Sequence, residues 1–268
     1  MNVKLISCIC TDKDISNPNL LYHFIKHYSN LGITHWSLTL HTSNSPEFNN
    51  LNIYKDILDN FRIPYKVWQG EYDDVRRVTV DNILIARQNL ETWLLVVDLD
   101  EFVNFPCAIP EYLANLDQQG YNCLTGEMVD YITVNGELPK VTLELSLNQQ
   151  FPRKFDLRKN TDIDLQFSKY NDLFRQKKIA IKKPLQWWIG HHDINEKTKS
   201  LARNYPYKLE IKHYPWDNLK VIRIKKLLYE QMSRTKPPAY SEQEYLITQT
   251  YRLKVVDYLQ KHGKFNLI

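Results

Sequence analysis

Hydrophobic positions along the chain recur at two spacings. Residues 3–10 form a short apolar run that reads as a strand. Asn17-Pro18-Asn19 then opens a helix whose stripe is Leu20, Leu21, Phe24, Ile25, Tyr28 and Leu31, spaced as one helical face. Gly32 stands at its C′ position. The alternation continues with a strand at 33–41, a helix at 47–60, a strand at 64–70, a helix at 74–89 and a strand at 93–98. Four strands separated by helices predict an α/β fold built on a doubly wound, mainly parallel sheet with right-handed crossovers.

The rhythm breaks after Phe102. A short helix is expected at 109–119 behind Pro110, then a strand at 122–131 that carries Glu127 and Asp130. Residues 133–173 are polar and irregular, and further strands follow at 178–182 and 209–214. A basic helix at 219–233 places Val221, Ile224 and Leu228 on one stripe. That arrangement leaves Lys220, Arg223, Lys225 and Lys226 largely on the outward face. Ser241 and Glu244 have the spacing of a capping box, opening a last helix that runs to Gly263. The expected division is a main α/β domain over 1–216 and a C-terminal helical extension over 217–268 packed on it.

At 268 residues and 43% hydrophobic content the chain can bury a sizeable core. Its four cysteines, Cys8, Cys10, Cys107 and Cys123, have no C-x-x-C spacing and suit a reducing compartment. The first apolar run closes at Thr11-Asp12-Lys13, short of a signal-peptide core, and no run approaches the ~18 apolar residues of a membrane span. A cytoplasmic location is the expectation. Charge is unevenly spread: residues 1–110 carry 9 Lys/Arg against 13 Asp/Glu, and residues 174–236 carry 16 against 5. A basic third of this kind attracts a diphosphate or anionic lipid, so peripheral contact with the inner membrane face is a second expectation. The basic residues accompany no nucleic-acid module, and no nucleic-acid partner is expected.

The densest chemistry lies in Trp93-Leu94-Leu95-Val96-Val97-Asp98-Leu99-Asp100-Glu101-Phe102. If the strand continues through this segment, period two puts Asp98 and Asp100 on one side. Two close carboxylates call for a divalent cation or a shared proton, and oxygen ligands favour Mg²⁺ or Mn²⁺. The plainer alternative is that Asp-x-Asp closes a strand and starts a turn. In a parallel sheet ligands bind beyond the C-terminal strand ends, where strand 1 would also deliver Cys10, Thr11 and Asp12.

Several segments together resemble nucleotide-sugar glycosyltransferases of the GT-A fold, in the neighbourhood of families 2 and 92. They are Phe24-Ile25-Lys26-His27-Tyr28, the Trp93–Phe102 signature with its Asp-x-Asp-Glu-Phe, Met128-Val129-Asp130-Tyr131 with Asn135-Gly136-Glu137-Leu138, Gln150-Phe151-Pro152, Gly190-His191-His192, and Lys212-His213-Tyr214-Pro215-Trp216. Two positions depart from the pattern: Pro215 stands where relatives carry a basic residue, and no acidic residue follows strand 2 at Leu40-His41-Thr42. The resemblance implies a GT-A-like sheet and a metal-dependent, inverting transfer of a sugar from a nucleotide-sugar donor to a glycan or lipid-linked acceptor. It further implies Asp98, Asp100 and His213 as ligands of Mn²⁺ or Mg²⁺, and Asp130 as general base with Glu127 and Asp193 as rivals. Cys10, Thr11, Asp12, Arg76 and Asp98 are the candidate donor contacts, with Arg77 beside Arg76. His192 and Trp188 are the candidate acceptor contacts, one of Trp187 and Trp188 being expected in the core. His191 and His192, if on a strand, would face opposite sides. Two other readings stand beside this one. The Asp-x-Asp strand end also resembles haloacid-dehalogenase-type phosphatases, and the sheet edge would serve a non-catalytic binding module equally well.

Overall fold

The computed structural model describes residues 2–13, 15–43, 50–161, 175–232 and 242–267. The chain forms two compact units: Met1–Met128 with Gln176–Lys212, and Val129–Arg175 with His213–Ile268. The expected cut at residue 216 therefore differs from the division into units, since residues 129–175 group with the C-terminal helices.

In the first unit, β1 (Asn2–Cys10), β2 (His35–Thr42), β3 (Tyr65–Gln69) and β4 (Thr92–Val96) pair in parallel in the order β3-β2-β1-β4. Helices α1 (Pro18–Asn30), α2 (Leu51–Asn60) and α3 (Asp74–Ala86) make the connections. Every residue of β4 is buried, as expected of a central strand covered on both faces. The chain then forms β5 (Glu101–Val103), α4 (Ile109–Gln118), β6 (Cys123–Ile132), β7 (Arg153–Phe155), β8 (Gln176–Lys182) and β9 (Leu209–His213). Beyond β4 the sheet continues β8-β6-β9-β5, and β8 runs antiparallel to both β4 and β6. The parallel half follows the expected alternation, and the antiparallel half comes from the stretch where the rhythm broke.

Strand order fixes where a ligand crevice can open. From β1 the chain moves outward through β2 to β3, then returns to place β4 on the opposite side of β1. The connections at the C-terminal ends of β1 and β4 thus depart in opposite directions. This is the switch point at which open α/β sheets bind ligands.

Helix α1 supports that edge. Its buried stripe of Leu20, Leu21, Phe24, Ile25 and Tyr28 is the one the sequence predicts, apart from Leu31, which is the half-buried C-cap residue. Tyr28 Oη donates to the Glu101 carbonyl at 2.9 Å and accepts the Val103 N–H at 3.1 Å, fastening β5 directly behind the acidic motif.

The second unit has its own core, in which Ile132, Phe155 and Trp216 pack with Ile224 and Leu228 of α5 (Lys220–Met232) and Val255 and Leu259 of α6 (Glu242–His262). The predicted α5 stripe therefore faces inward. Its cations do not all take the expected outward face: Arg223 pairs with fully buried Asp217, and Lys220 lies 4.7 Å over the Trp216 ring. Residues 133–161 hold two short helical turns, Leu147–Gln150 and Leu157–Asn160, besides β7. The proposed start of α2 at residue 47, the capping box at Ser241 and the irregular stretch 162–173 lie outside the described residues. No helix among the described residues is long and apolar enough to cross a membrane.

Tyr28→Phe keeps the ring but leaves one buried carbonyl and one buried N–H of β5 without this hydroxyl. It is expected to destabilise the protein by about 1–3 kcal/mol in chemical unfolding, with a larger loss of amide protection at Val103 than in α2.

Candidate active site

Asp98 and Asp100 do not emerge from a continuing strand. β4 ends at Val96, Val97 still donates to the Ile6 carbonyl of β1 at 3.2 Å, and the chain then turns, with the Glu101 N–H donating to the Asp98 carbonyl at 3.0 Å. The Glu101 carboxylate closes the turn from the other side by accepting the Asp98 N–H at 2.8 Å. The plainer alternative for Asp-x-Asp describes the backbone correctly: a turn competes with the strand because short acidic side chains can hydrogen-bond nearby N–H groups. Asp100 is half-buried within this turn.

The site's electrostatics centre on Asp98. One carboxylate oxygen, Oδ1, accepts from Arg77 Nη2 at 2.8 Å, and Oδ2 accepts from Lys177 Nζ, also at 2.8 Å. Lys177 Nζ also donates to Glu101 Oε2 at 2.7 Å. Lys177 is only 2% exposed, whereas the Asp98 side chain is 38% exposed, so the acid is the member of the cluster that reaches solvent. Burial pushes the Asp98 carboxyl upward, but the charges and hydrogen bonds of Lys177 and Arg77 outweigh it and hold it well below the usual carboxylate range. Glu101 goes the other way. Burial, helped by the negative charge of Asp98, raises its carboxyl despite the pull of Lys177. Burial opposes the charge on Lys177 and Arg77, yet the surrounding acids raise both.

Arg77 comes from α3, whose N-terminus is capped by the Asp73 side chain accepting from the Val75 and Arg76 N–H groups. Arg77, Asp81 and Ile85 recur every four residues along its inner face. Arg76, the expected donor contact, points elsewhere: it is exposed and lies 4.6 Å over the Trp68 ring, which in turn stacks on Tyr72. Lys177, which sequence reasoning missed, and Arg77, which it ranked behind Arg76, are the central groups. Both carried a signal. Lys177 shares its β8 face with Ile179 and Ile181, and Arg77 and Asp81 have i,i+4 spacing on a buried stripe.

At the end of β1, Thr11 and Asp12 are turned to backbone work. Thr11 is buried and its hydroxyl donates to the His41 carbonyl at 3.1 Å, while Asp12 Oδ1 accepts the Ser43 N–H at 2.9 Å. Cys10 pairs in register with His41 and is half-buried. Cys8, two residues earlier, lies close enough to Arg77 and Asp98 to feel their charge, and burial pushes its thiol up to about 12.

The segment 187–193 is a loop with a 3₁₀ turn, so the strand geometry expected for His191 and His192 does not apply. Its consecutive left-handed residues, Gly190 (φ 77°) and His191 (φ 63°), prevent a pleat. His191 is buried, with Nε2 3.0 Å from Asp81 Oδ2. His192 is half-buried, and its Nδ1 lies 2.9 Å from the Gln176 carbonyl. Trp187 is the core member of its pair and Trp188 the exposed one at 44%. Asp193 is bound locally, with Lys199 Nζ at 2.7 Å and its own neighbour's N–H, that of Ile194, at 2.8 Å. Glu127 is exposed on β6.

Asp130 and His213 belong to the second unit and are paired. Asp130 Oδ1 lies 2.7 Å from His213 Nδ1, and Oδ2 accepts from Trp216 Nε1 at 2.8 Å. Burial would raise the Asp130 carboxyl, but His213, Lys220 and Trp216 together hold it below its ordinary value.

These contacts bear on the expected metal. Both Asp98 oxygens face protein cations, and the described residues contain no group of three or more His, Cys, Asp or Glu suited to hold a metal ion. The expected ligands are divided between the units, Asp98 and Asp100 in the first and His213 in the second.

Half-buried His27 and buried His191 set an acid limit on the fold. Burial is the main force lowering both His27 and His191, from 6.5 to about 4. Between those values the unfolded chain binds protons that the folded chain does not, so stability falls as pH drops from about 6.5 towards 4. The loss is on the order of 3 kcal/mol for each residue. His27→Gln should flatten the pH dependence of the melting temperature in that window, and an unchanged slope would show that His27 protonates freely in the folded state.

No protein-family model matches the chain, and no curated protein matches it either. Among solved structures, the crystal structure of residues 1–349 of S. aureus TarS is similar over 96% of this chain and 69% of that one, at 12% identity and a TM-score of 0.38. A likeness of that extent carries no argument about family or activity.

Proposed function

We propose that the protein is a glycosyltransferase that takes a sugar from a nucleotide-sugar donor and transfers it to a glycan or lipid-linked acceptor. The observation that carries this reading is the half-exposed, firmly ionised Asp98 at the switch point between β1 and β4, braced by Arg77 and Lys177. The ordered sequence resemblance to GT-A enzymes supports it. A carboxylate that stays charged at neutral pH accepts hydrogen bonds from sugar or ribose hydroxyls. Its two cations prevent the approach of a diphosphate from becoming a purely repulsive encounter.

Transfer with inversion needs a base for the acceptor hydroxyl. We assign that role to the Asp130–His213 pair rather than to Asp130 by itself. A carboxylate that accepts from both His213 and Trp216 is a weakened proton acceptor, whereas an imidazole held through Nδ1 by a carboxylate takes a proton at its other nitrogen and is stabilised as the cation. Glu127 and Asp193 are less suited, the first being exposed and the second tied to Lys199.

The deciding experiment incubates the protein with a panel of sugar nucleotides, with Mn²⁺, with Mg²⁺ and with chelator, and follows release of nucleoside diphosphate. Turnover or slow hydrolysis of at least one donor is expected. The absence of donor binding and hydrolysis across the panel, or turnover of a phosphate monoester instead, would overturn the assignment. Asp98→Asn should raise the donor Kd in calorimetry. Asp130→Asn and His213→Gln should each lower kcat by about 10²–10⁴-fold with donor affinity nearly intact.

A further inference from the structure

The reading of Asp98 as the donor's contact leaves open what keeps its two cations aimed at it. The nearest competitor is Asp81, one helical turn beyond Arg77. Its Oδ2 stands 4.0 Å from Arg77 Nε, beyond hydrogen-bond range, and Arg77 Nε is buried with no hydrogen-bond partner among the described residues. A small rotation would let Asp81 close on the guanidinium as a two-pronged i,i+4 pair, the stronger geometry for arginine and carboxylate. That closure would draw Nη2 away from Asp98. What holds Asp81 back is His191, whose Nε2 lies 3.0 Å from the same Oδ2.

The loop that presents His191 is built for this placement. Gly190 and His191 both adopt left-handed backbone, which is costly for histidine. The neighbouring residue Asn82 secures the loop to α3, its amide accepting from the Trp187 N–H at 2.8 Å and donating to the Trp187 carbonyl at 2.9 Å. The same loop grips β8 on both sides of Lys177. Trp187 Nε1 donates to the Lys178 carbonyl at 2.7 Å, and His192 Nδ1 lies 2.9 Å from the Gln176 carbonyl. One segment thus braces the backbone carrying each cation of Asp98.

We propose that the loop 187–192 is a positioning clamp for the donor site. In it His191 restrains Asp81 from capturing Arg77, so that Arg77 and Lys177 stay on Asp98. His191 and Asp81 act through Arg77 and are positioning residues. The proposal rests on the glycosyltransferase reading for its kinetic consequence, but not for its structural one.

The test is a double-mutant cycle with a structural readout. Asparagine tolerates left-handed backbone but is too short to reach where Nε2 sits, so His191→Asn frees Asp81 without straining the turn. It should raise the donor KM by about 10- to 100-fold, the usual effect of losing a partner that orients a binding group, with a smaller change in kcat. His191→Gln, whose amide reaches Asp81, should restore most of the loss. Asp81→Asn removes the competitor's charge, so alone it should leave donor KM within a few-fold of the parent. In its background His191→Asn should lose its effect. The Arg77 Nε–H resonance in ¹⁵N NMR should move downfield in His191→Asn, as Asp81 accepts from it, and return in His191→Gln. An unmoved resonance, or equal losses from His191→Asn with and without Asp81→Asn, would overturn the clamp. If His191→Asn does not fold, damage by Asp81→Asn alone equal to that of Arg77→Ala does the same. If the parent protein binds no sugar nucleotide, the functional reading fails while the resonance still decides the clamp.

Discussion

The contact on which the first unit's chemistry depends is the Asp98 carboxylate held between two cations that come from different elements. Arg77 arrives from α3 and Lys177 from β8, and the acid itself sits in the turn after β4. Burying a lysine at 2% exposure is costly unless it is paired and hydrogen-bonded, and here the pairing is shared by Asp98 and Glu101. The cluster therefore links α3, β4, β5 and β8 electrostatically as well as by packing. Removing one member leaves the others as uncompensated buried charge, so the site and the local fold stand or fall together.

The same arrangement explains why two carboxylates three residues apart behave oppositely. Asp98 reaches solvent and has both cations, so it remains ionised. Glu101 is buried, shares only Lys177, and has the negative charge of Asp98 nearby, so its carboxyl rises. A raised carboxyl still has a structural use, because its oxygen accepts the Asp98 N–H and closes the turn. One acid supplies charge at the crevice and the other shapes the loop that carries it.

Much of the parallel half was legible in the chain because burial on one face leaves a periodic trace. The α1 stripe from Leu20 to Tyr28 and the fully buried β4 are direct consequences. The switch point followed once the order of those units was set. The turn at 98–101 was not legible from spacing, since period two assumes a strand and nothing in the alternation of Asp98, Leu99 and Asp100 reveals where the strand stops. Arg77 and Lys177 were hard to recognise for a different reason. Charged residues are normally solvated, and their burial became evident only when α3 and β8 were brought to the same acid. The grouping of 129–175 with the C-terminal helices depends on contacts far apart in sequence, such as Phe155 against Trp216 and Phe265, which local pattern does not record.

The pairing of His213 with Asp130 shows how geometry redistributes roles among residues that a motif merely enumerates. The resemblance gave the acid as base and the histidine as metal ligand, two separate tasks. A carboxylate that takes hydrogen bonds from His213 on one oxygen and Trp216 on the other has little remaining basicity of its own. What it can do is fix an imidazole's orientation and stabilise its protonated form, which is the division of labour of an orienting acid and its histidine. Asp81 and His191 show the converse case in the first unit. There the histidine is deeply buried and kept neutral, and the acid's second neighbour is an arginine, so the imidazole orients a carboxylate instead of being oriented by it. Two pairs of the same chemical types are thus separated in function by burial and by the third partner of each.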